Sequence, residues 1–193
     1  LIPSGKIAAL AQALAEGGVS CIEVTFDQTN PEETLTSLRT IKSELGDRIC
    51  LGAGTVMTVE QVEQAAQAGA EYMISPNVDE AVIRATKALG KVSIPGAMTP
   101  TETAFAYQCG ADIVKLFPAG LLGPAYIKAV KAPLKHIPVS AVGNITIENC
   151  ADFIQAGAVG VGVGGNLVSA LLVNEGCFSQ ITATARAYRE KLK

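Results

Sequence analysis

Short apolar runs alternate with longer segments of helical periodicity along the whole chain. Apolar runs of this length between turn residues predict buried strands, and a period near 3.6 predicts helices with one buried face. The predicted strands are residues 20–26, 49–54, 72–75, 92–95, 112–117, 139–142 and 159–163. The predicted helices are residues 6–16, 31–45, 59–68, 79–89, 101–108, 124–131, 147–155 and 179–192.

A recurring join links these elements: a helix ends on a small residue and glycine, and an apolar strand follows at once. The joins are residues 16–19, 68–70, 109–111 and 156–158, and their glycines are expected to be left-handed. Strands that alternate with helices predict right-handed βαβ units and a parallel sheet.

Seven or eight such units predict an α/β fold, a compact (β/α)8 TIM-type barrel. We expect residues 1–193 to form this barrel as a single domain. Residues 1–5 look like a connection into a helix, so the first strand is expected upstream of Leu1.

The composition excludes several classes of function. An apolar content of 49% with 17% charged residues excludes a disordered chain. A net charge of −3 without a basic cluster argues against binding to nucleic acid or to an anionic membrane surface. No apolar stretch has the length of a membrane span and no signal peptide is recognisable, so a cytoplasmic protein is expected.

The cysteines and the histidine give no metal motif. Five widely spaced cysteines predict free thiols in a reducing compartment rather than a disulfide framework. His136 is the only histidine and is close to Pro138, which favours a surface loop. These residues therefore predict no zinc knuckle and no His-based metal site or catalytic dyad. We also expect no cofactor.

Lys115 is the only charged residue in the apolar run 113–118. Burial disfavours the charged form of a lysine and lowers its pKa, and a neutral amine attacks carbonyl groups to form a Schiff base. The alternative is a side chain that extends along apolar surface and places its charge in water. The segment by itself leaves both interpretations open.

Glu23 is a second isolated charge, in the predicted strand 20–26. Alternation places Glu23 and Thr25 on one side of this strand and the apolar residues on the other. A carboxylate and a lysine inside one barrel, near the carboxyl ends of strands, favour acid–base chemistry with an amine nucleophile. The alternative is a structural ion pair.

Later strand ends carry glycines and small polar residues that suit ligand binding. Residues 52–56 end one strand as Gly-Ala-Gly-Thr-Val, where Gly54 allows close approach and Thr55 can hold a carboxylate. The last two strands end near Gly143 and at residues 164–166, with a short helix predicted over 166–172. Such loops bind phosphate in many barrels, and here backbone amides would have to do so without Arg or Lys. The glycines of residues 160–165 do not form a dinucleotide-binding motif, because they lie within a late strand and not after the first strand of a βαβ unit.

Six segments, in this order, resemble the 2-keto-3-deoxy-6-phosphogluconate and 4-hydroxy-2-oxoglutarate aldolase family. The resemblance covers nearly the whole chain. The segments are residues 22–25 (IEVT), 52–56 (GAGTV), 74–76 (ISP), 94–102 (IPGAMTPTE), 114–118 (VKLFP) and 162–165 (GVGG).

The resemblance implies a metal-free, homotrimeric class I aldolase, an aldehyde-lyase that cleaves a 2-keto-4-hydroxy acid to pyruvate and an aldehyde. It implies Lys115 as the Schiff-base lysine and Glu23 as the acid–base group. It implies Thr55, Pro76 and Phe117 as substrate-binding residues. The strand-end loops add Gly54, Gly143, Gly164, Gly165 and Asn166 to the substrate-binding residues that we expect.

Four positions depart from the family pattern. Asp27 stands where many members carry an arginine that binds the pyruvyl carboxylate. Val142 and Asn144 replace a threonine and a glycine of the family's P-T-G-G segment, and Asn166 replaces a serine. These departures favour a small or atypical acceptor aldehyde, or equally a different specificity for the sugar acid.

Two rival functions remain at this point. In a phosphate-binding barrel isomerase or epimerase, Glu23 would be a proton-abstracting base and Lys115 an electrostatic stabiliser without a covalent adduct. A catalytically silent barrel that acts as a scaffold is the other, and the residues at Val142 and Asn144 favour it. The fold alone does not discriminate among these functions.

Overall fold

The computed structural model describes residue 2 and residues 4–193. Eight strand segments occur in this part of the chain, and every strand pairing is parallel. The segments are β1 Cys21–Thr25, β2 Cys50–Gly54, β3 Tyr72–Ile74, β4 Val92–Ile94, β5 Gly96–Ala97, β6 Val114–Leu116, β7 Val139–Val142 and β8 Gly160–Gly162. The seven predicted strands are confirmed, because β4 and β5 together occupy the place of one.

Pro95 alone separates β4 from β5, because proline has no N–H to donate to a ladder. β4 pairs with β3 and β5 pairs with β6, so the order is β1-β2-β3-β4 and then β5-β6-β7-β8. The Pro95 carbonyl accepts a hydrogen bond of 2.8 Å from Lys115 N. This bond connects the two four-stranded sheets into one continuous barrel wall. The result is the predicted α/β fold of TIM-barrel type.

β1 and β8 are the two edges of this wall. Within the described residues, no strand pairs with their outer edges. The strand that the sequence predicts upstream of Leu1 lies outside the described residues.

Ten α-helices occur among the described residues. They are α1 Ile7–Glu16, α2 Pro31–Leu45, α3 Val59–Gln67, α4 Glu80–Ala88, α5 Pro100–Gln108, α6 Ala119–Leu122, α7 Pro124–Lys131, α8 Cys150–Gln155, α9 Ala170–Glu175 and α10 Phe178–Lys191. Short 3₁₀ turns cover Ser4–Lys6 and Gly46–Arg48. At the start of α5, Thr99 and Glu102 form a capping box that satisfies free backbone N–H groups. No described helix is long and apolar enough to cross a membrane.

The glycine joins are confirmed. Gly18, Gly69, Gly110 and Gly157 all have positive φ, from 87° at Gly18 to 110° at Gly157. These are the left-handed positions that end a helix and turn the chain into the next strand.

Two predictions about late helices are wrong. The helix predicted over 166–172 begins only at Ala170, because Leu167 N and Val168 N both donate to Gly164 O and form a turn. The helix predicted from residue 147 begins at Cys150, since the Asn149 side chain accepts from Thr146 N and closes the preceding turn. The short helix α6 is not predicted by the sequence.

Side chains alternate across the sheet as expected. Ile22, Leu51 and Ala53 face outward, where they are buried against the helices. On the inner face, Cys21, Glu23 and Thr25 of β1 line a cavity. The polar residues of the strands are therefore gathered inside the barrel, where a ligand can reach them.

Candidate active site

A cavity of about 1200 Å³ runs through the inside of the barrel. It continues past the unpaired edges of β1 and β8 to the inner faces of α1 and α10. Of the predicted site residues, only Gly54 does not line it. Those that do are Glu23, Thr55, Pro76, Lys115, Phe117, Gly143, Gly164, Gly165 and Asn166. The fold thus brings together residues that are far apart in the sequence.

Lys115 lies at the centre of β6 and points into this cavity. Its side chain is buried, with 8% of the residue exposed, while Val114 and Leu116 on either side face the outer core. Within the described residues, Lys115 Nζ has no hydrogen-bond or ion-pair partner, and it lies 5.0 Å from the centre of the Phe117 ring. Burial lowers the pKa of Lys115, and the charge of Glu23 opposes this effect.

Glu23 lies on the inner face of β1 and is reached from the cavity. Glu23 is exposed to the open cavity, but the protein atoms around it still raise its pKa by desolvation, and the charge of Lys115 partly offsets this. Among the described residues the Glu23 carboxylate forms no ion pair or hydrogen bond with Lys115. Their opposite charges therefore attract through space across the cavity, which partly offsets the effect of burial on the pKa of each group.

The two glycines of β2 hold side chains from the neighbouring strands. A Cβ atom at Gly54 would overlap Oε1 of Glu23 from β1. A Cβ atom at Gly52 would overlap the ring of Tyr72 from β3. Any larger residue at either position would displace one of these side chains. The two glycines therefore leave the space that the side chains of Glu23 and Tyr72 occupy. Gly54 positions Glu23 and is not itself part of the cavity wall.

Tyr72 is a functional candidate that the sequence analysis missed. Its side chain is buried in the cavity wall, and its pKa is raised by burial and by the charge of Glu23. An aromatic residue in an apolar strand carries no signal by itself. Tyr72 becomes a candidate only once the strands are paired, because Gly52 is in register with both Tyr72 and Glu23.

Thr55 has a left-handed backbone, with φ of 53°. This conformation is unfavourable for a β-branched residue by about 1–3 kcal/mol and is concentrated at functional sites. The Gln28 side chain donates to Thr55 O at 2.9 Å, and Gln61 donates to Gln28 at 2.9 Å. Gln61 also accepts from Met57 N at 2.7 Å. This side-chain network, which the sequence did not predict, holds Thr55 at the cavity rim.

The loop after β7 keeps a left-handed pair of residues. Gly143 has φ of 96° and Asn144 has φ of 54°, a conformation that asparagine tolerates better than most residues. Gly143 O accepts a hydrogen bond of 2.8 Å from Gly120 N in α6. A Cβ atom at Gly143 would lie 3.1 Å from the Phe117 ring. The Asn144 substitution is thus compatible with a tightly turned backbone.

The loop after β8 lies on the exposed rim. Gly164, Gly165 and Asn166 are exposed and border the cavity. Asn166 Nδ2 donates to Ile145 O at 2.8 Å and joins the last two loops. Part of the Asn166 amide is therefore engaged in holding these loops together.

Asp27 does not line the cavity. Its carboxylate accepts from Thr29 N at 2.8 Å and from Thr29 Oγ1 at 2.7 Å, and these hydrogen bonds lower its pKa. Asp27 therefore organises the turn before α2.

Charge and polarity in the cavity are unevenly placed. Lys115 and Arg189 are the cationic side chains among the described residues that line it. Arg189 packs beside Gly18, before β1 and at the opposite end of that strand from Thr25. Ser140, which the sequence did not single out, is in register with Lys115 and also lines the cavity. In the part of the chain described, no three His, Cys, Asp or Glu residues come together to hold a metal.

Comparisons with known proteins agree with this geometry. Residues 3–184 match the family described as "Aldolase: KDPG and KHG aldolase". The chain is 37% identical to 2-dehydro-3-deoxy-6-phosphogalactonate aldolase of Escherichia coli over 182 residues, which is 94% of this chain and 87% of that protein. It is also 37% identical to 2-dehydro-3-deoxy-phosphogluconate aldolase of Treponema pallidum over 178 residues, which is 92% of this chain and 83% of that protein.

A solved structure of KDPG aldolase from Legionella pneumophila superposes on this chain with a TM-score of 0.89 at 25% identity. The match covers 97% of this chain and 90% of that one. That enzyme holds pyruvate as a covalent carbinolamine intermediate. The chain therefore belongs to the KDPG and KHG aldolase family, and it is an aldolase, a lyase that breaks a carbon–carbon bond.

Proposed function

We propose that this chain is a class I aldolase that cleaves a 2-keto-4-hydroxy acid to pyruvate and an aldehyde through a Schiff base on Lys115. One observation carries the proposal: the buried side chain of Lys115, whose amine has no polar partner among the described residues, shares one cavity with the Glu23 carboxylate. The substrate is of the 4-hydroxy-2-oxoglutarate or 2-keto-3-deoxy-6-phosphogluconate type. The galactonate isomer is equally compatible, because relatives at the same identity carry both names.

The first step uses the lowered pKa of Lys115. Neutral Lys115 Nζ attacks the C2 ketone of the substrate and forms a carbinolamine. Loss of water then gives an iminium ion, which accepts electrons from the adjacent carbon. A carbinolamine of pyruvate, trapped in the Legionella enzyme, is the corresponding intermediate in that protein.

The second step uses Glu23 as a base. Ionised Glu23 takes the proton of the C4 hydroxyl, the C3–C4 bond breaks, and its electrons move into the iminium to give an enamine. The aldehyde leaves, Glu23 returns a proton to C3, and water hydrolyses the new iminium to release pyruvate and free Lys115. The raised pKa of Glu23 suits a group that both accepts and returns a proton.

Binding residues are proposed from their positions around the cavity. The Thr55 hydroxyl and the neighbouring amides would hold the pyruvyl carboxylate, between the apolar surfaces of Pro76 and Phe117. The far end of the substrate would contact the rim loops. The rim residues proposed are Gly143, Gly164, Gly165 and Asn166.

Trapping with borohydride tests the proposal. The chain is incubated with saturating pyruvate, reduced with borohydride, digested and mapped by mass spectrometry. We expect a single adduct on Lys115, its loss in Lys115→Met, and its retention in the surface control Lys128→Met. A folded chain that gives no adduct on Lys115 would contradict the proposal.

The oligomeric state is a separate proposal. The resemblance implies a homotrimer, and the surface exposes large apolar side chains that an interface would cover. Met98 is 47% exposed, Phe105 45% and Leu121 74%. Sedimentation equilibrium would give three times the 19.9 kDa chain mass for a trimer, and a monomer would refute this expectation. The cytoplasmic location stays a prediction.

A further inference from the structure

Two cysteines face the cavity at the beginnings of β1 and β2. Cys21 and Cys50 are direct register partners on these neighbouring parallel strands. Both line the cavity, on the same inner face as Glu23. Adjacent strands lie about 4.7–4.9 Å apart, and disulfides join Cα atoms that are about 4.4–6.8 Å apart. The backbone therefore already holds the two residues at a separation that a disulfide can bridge.

The surroundings of the two thiols differ. Cys21 is exposed and Cys50 is half-buried. The Cys50 thiol contacts that of Cys21, and burial together with this neighbour raises the pKa of Cys50. Of the other cysteines, Cys109 and Cys150 are buried. The pair thus combines one sulfur that a reagent can reach with a second sulfur placed to react with it.

We propose that Cys21 and Cys50 form a redox-active dithiol. A low-molecular-weight disulfide would oxidise this pair to an intramolecular disulfide bond. The exposed Cys21, as thiolate, attacks one sulfur of the reagent, forms a mixed disulfide and releases one thiol. Cys50 then loses its proton and attacks the Cys21 sulfur, which releases the second thiol. Two electrons and two protons pass from the pair to the reagent, and excess dithiol reverses the reaction.

The bond would join the strands that support the acid–base group. Cys21 precedes Glu23 by two residues on the same face of β1, and Cys50 precedes Gly52 by two on β2. The disulfide would close a loop that contains the whole of α2. Because closing such a loop restricts the unfolded chain, the oxidised form should unfold at a higher temperature than the reduced form.

Oxidised glutathione is the probe that tests this proposal on the folded chain. We expect the mass to fall by two hydrogens, the five free thiols to decrease by two, and a linked Cys21–Cys50 peptide to appear. Cys21→Ser and Cys50→Ser should abolish that mass change, and in Cys50→Ser one glutathione should remain attached to Cys21. The control Cys177→Ser should oxidise like the wild type. Circular dichroism before and after reaction verifies that the fold persists.

Two results would overturn the proposal. One is a folded wild-type chain that carries glutathione on Cys21 but yields no linked peptide. The other is a linked peptide that forms only in denaturant. Both are read from the wild-type chain, so they decide the matter even if a variant fails to fold.

Discussion

The space that Gly54 of β2 leaves for the Glu23 side chain can be tested with Gly54→Ala. The substitution adds one methyl group where Glu23 Oε1 lies, and the added carbon would also come within 2.8 Å of Glu23 Cγ. The end of the glutamate side chain must therefore rotate away. Misplacement of a catalytic group by about 1 Å can lower the rate about 100-fold, which corresponds to about 2.7 kcal/mol.

The effect should fall on one step of the reaction. Lys115 is on β6, away from the substitution, so adduct formation with pyruvate should persist in Gly54→Ala. Cleavage, followed as pyruvate release in a coupled lactate dehydrogenase assay, should fall about 100-fold. Glu23→Gln should show the same pattern. Because the displaced group is the end of a flexible side chain, the free energy of unfolding should change by less than about 1 kcal/mol.

Gly160→Ala is the matched control, since a Cβ atom at this strand glycine meets no atom within 4 Å among the described residues. It should retain cleavage within about twofold, because it buries nothing and displaces nothing. Wild-type cleavage by Gly54→Ala would refute the placement of Glu23 as the acid–base group. An equal loss of cleavage and of adduct formation would indicate a general distortion of the barrel instead.

Four other perturbations test the packing, the charge and the chemistry of the candidate site. Gly52→Ala meets the rigid Tyr72 ring, so denaturant unfolding should show a loss of about 1–3 kcal/mol, and wild-type stability would contradict the packing described. Burial lowers the pKa of Lys115 below 10.5, so the folded chain loses stability as the pH falls from 10.5 to the lowered value. Lys115→Met should therefore gain stability over the wild type across that window and keep a constant advantage below it; unfolding curves at a series of pH values would show no such trend if the amine were solvated. Gln61→Leu leaves Met57 N without its acceptor, so KM should rise more than kcat falls, whereas an unchanged KM would separate this network from substrate binding. Extensive dialysis against a chelator should leave pyruvate release unchanged, and a loss restored by a divalent cation would indicate a metal-dependent aldolase.

The sequence predicted the fold well because its strongest signals are local. The alternation of apolar runs with helical segments reproduces each strand to within about two residues. Left-handed glycines and capping residues mark most helix ends. The late helices were misplaced because competing hydrogen bonds at Gly164 and Asn149 form turns that a hydrophobic pattern does not show.

The candidate site was predictable only in part, for a related reason. Lys115 and Glu23 stand out because each is an isolated charge in an apolar strand, and burying an unpaired charge costs free energy. Tyr72 and Ser140 do not stand out, since their importance comes from strand register. Gln61 is likewise visible only when its contact with Gln28, which lies before α2, is known.

The sequence by itself determined the order of strands and helices, the two charged residues of the candidate site and the resemblance to a family, because periodicity and local motifs are properties of neighbouring residues. The tertiary structure decided the relations between distant segments. It placed Lys115 and Glu23 in one cavity without an ion pair between them. It also placed the two glycines of β2 where they leave space for the side chains of Glu23 and Tyr72. It also set Cys21 beside Cys50, since only the pairing of β1 with β2 brings these two residues into contact.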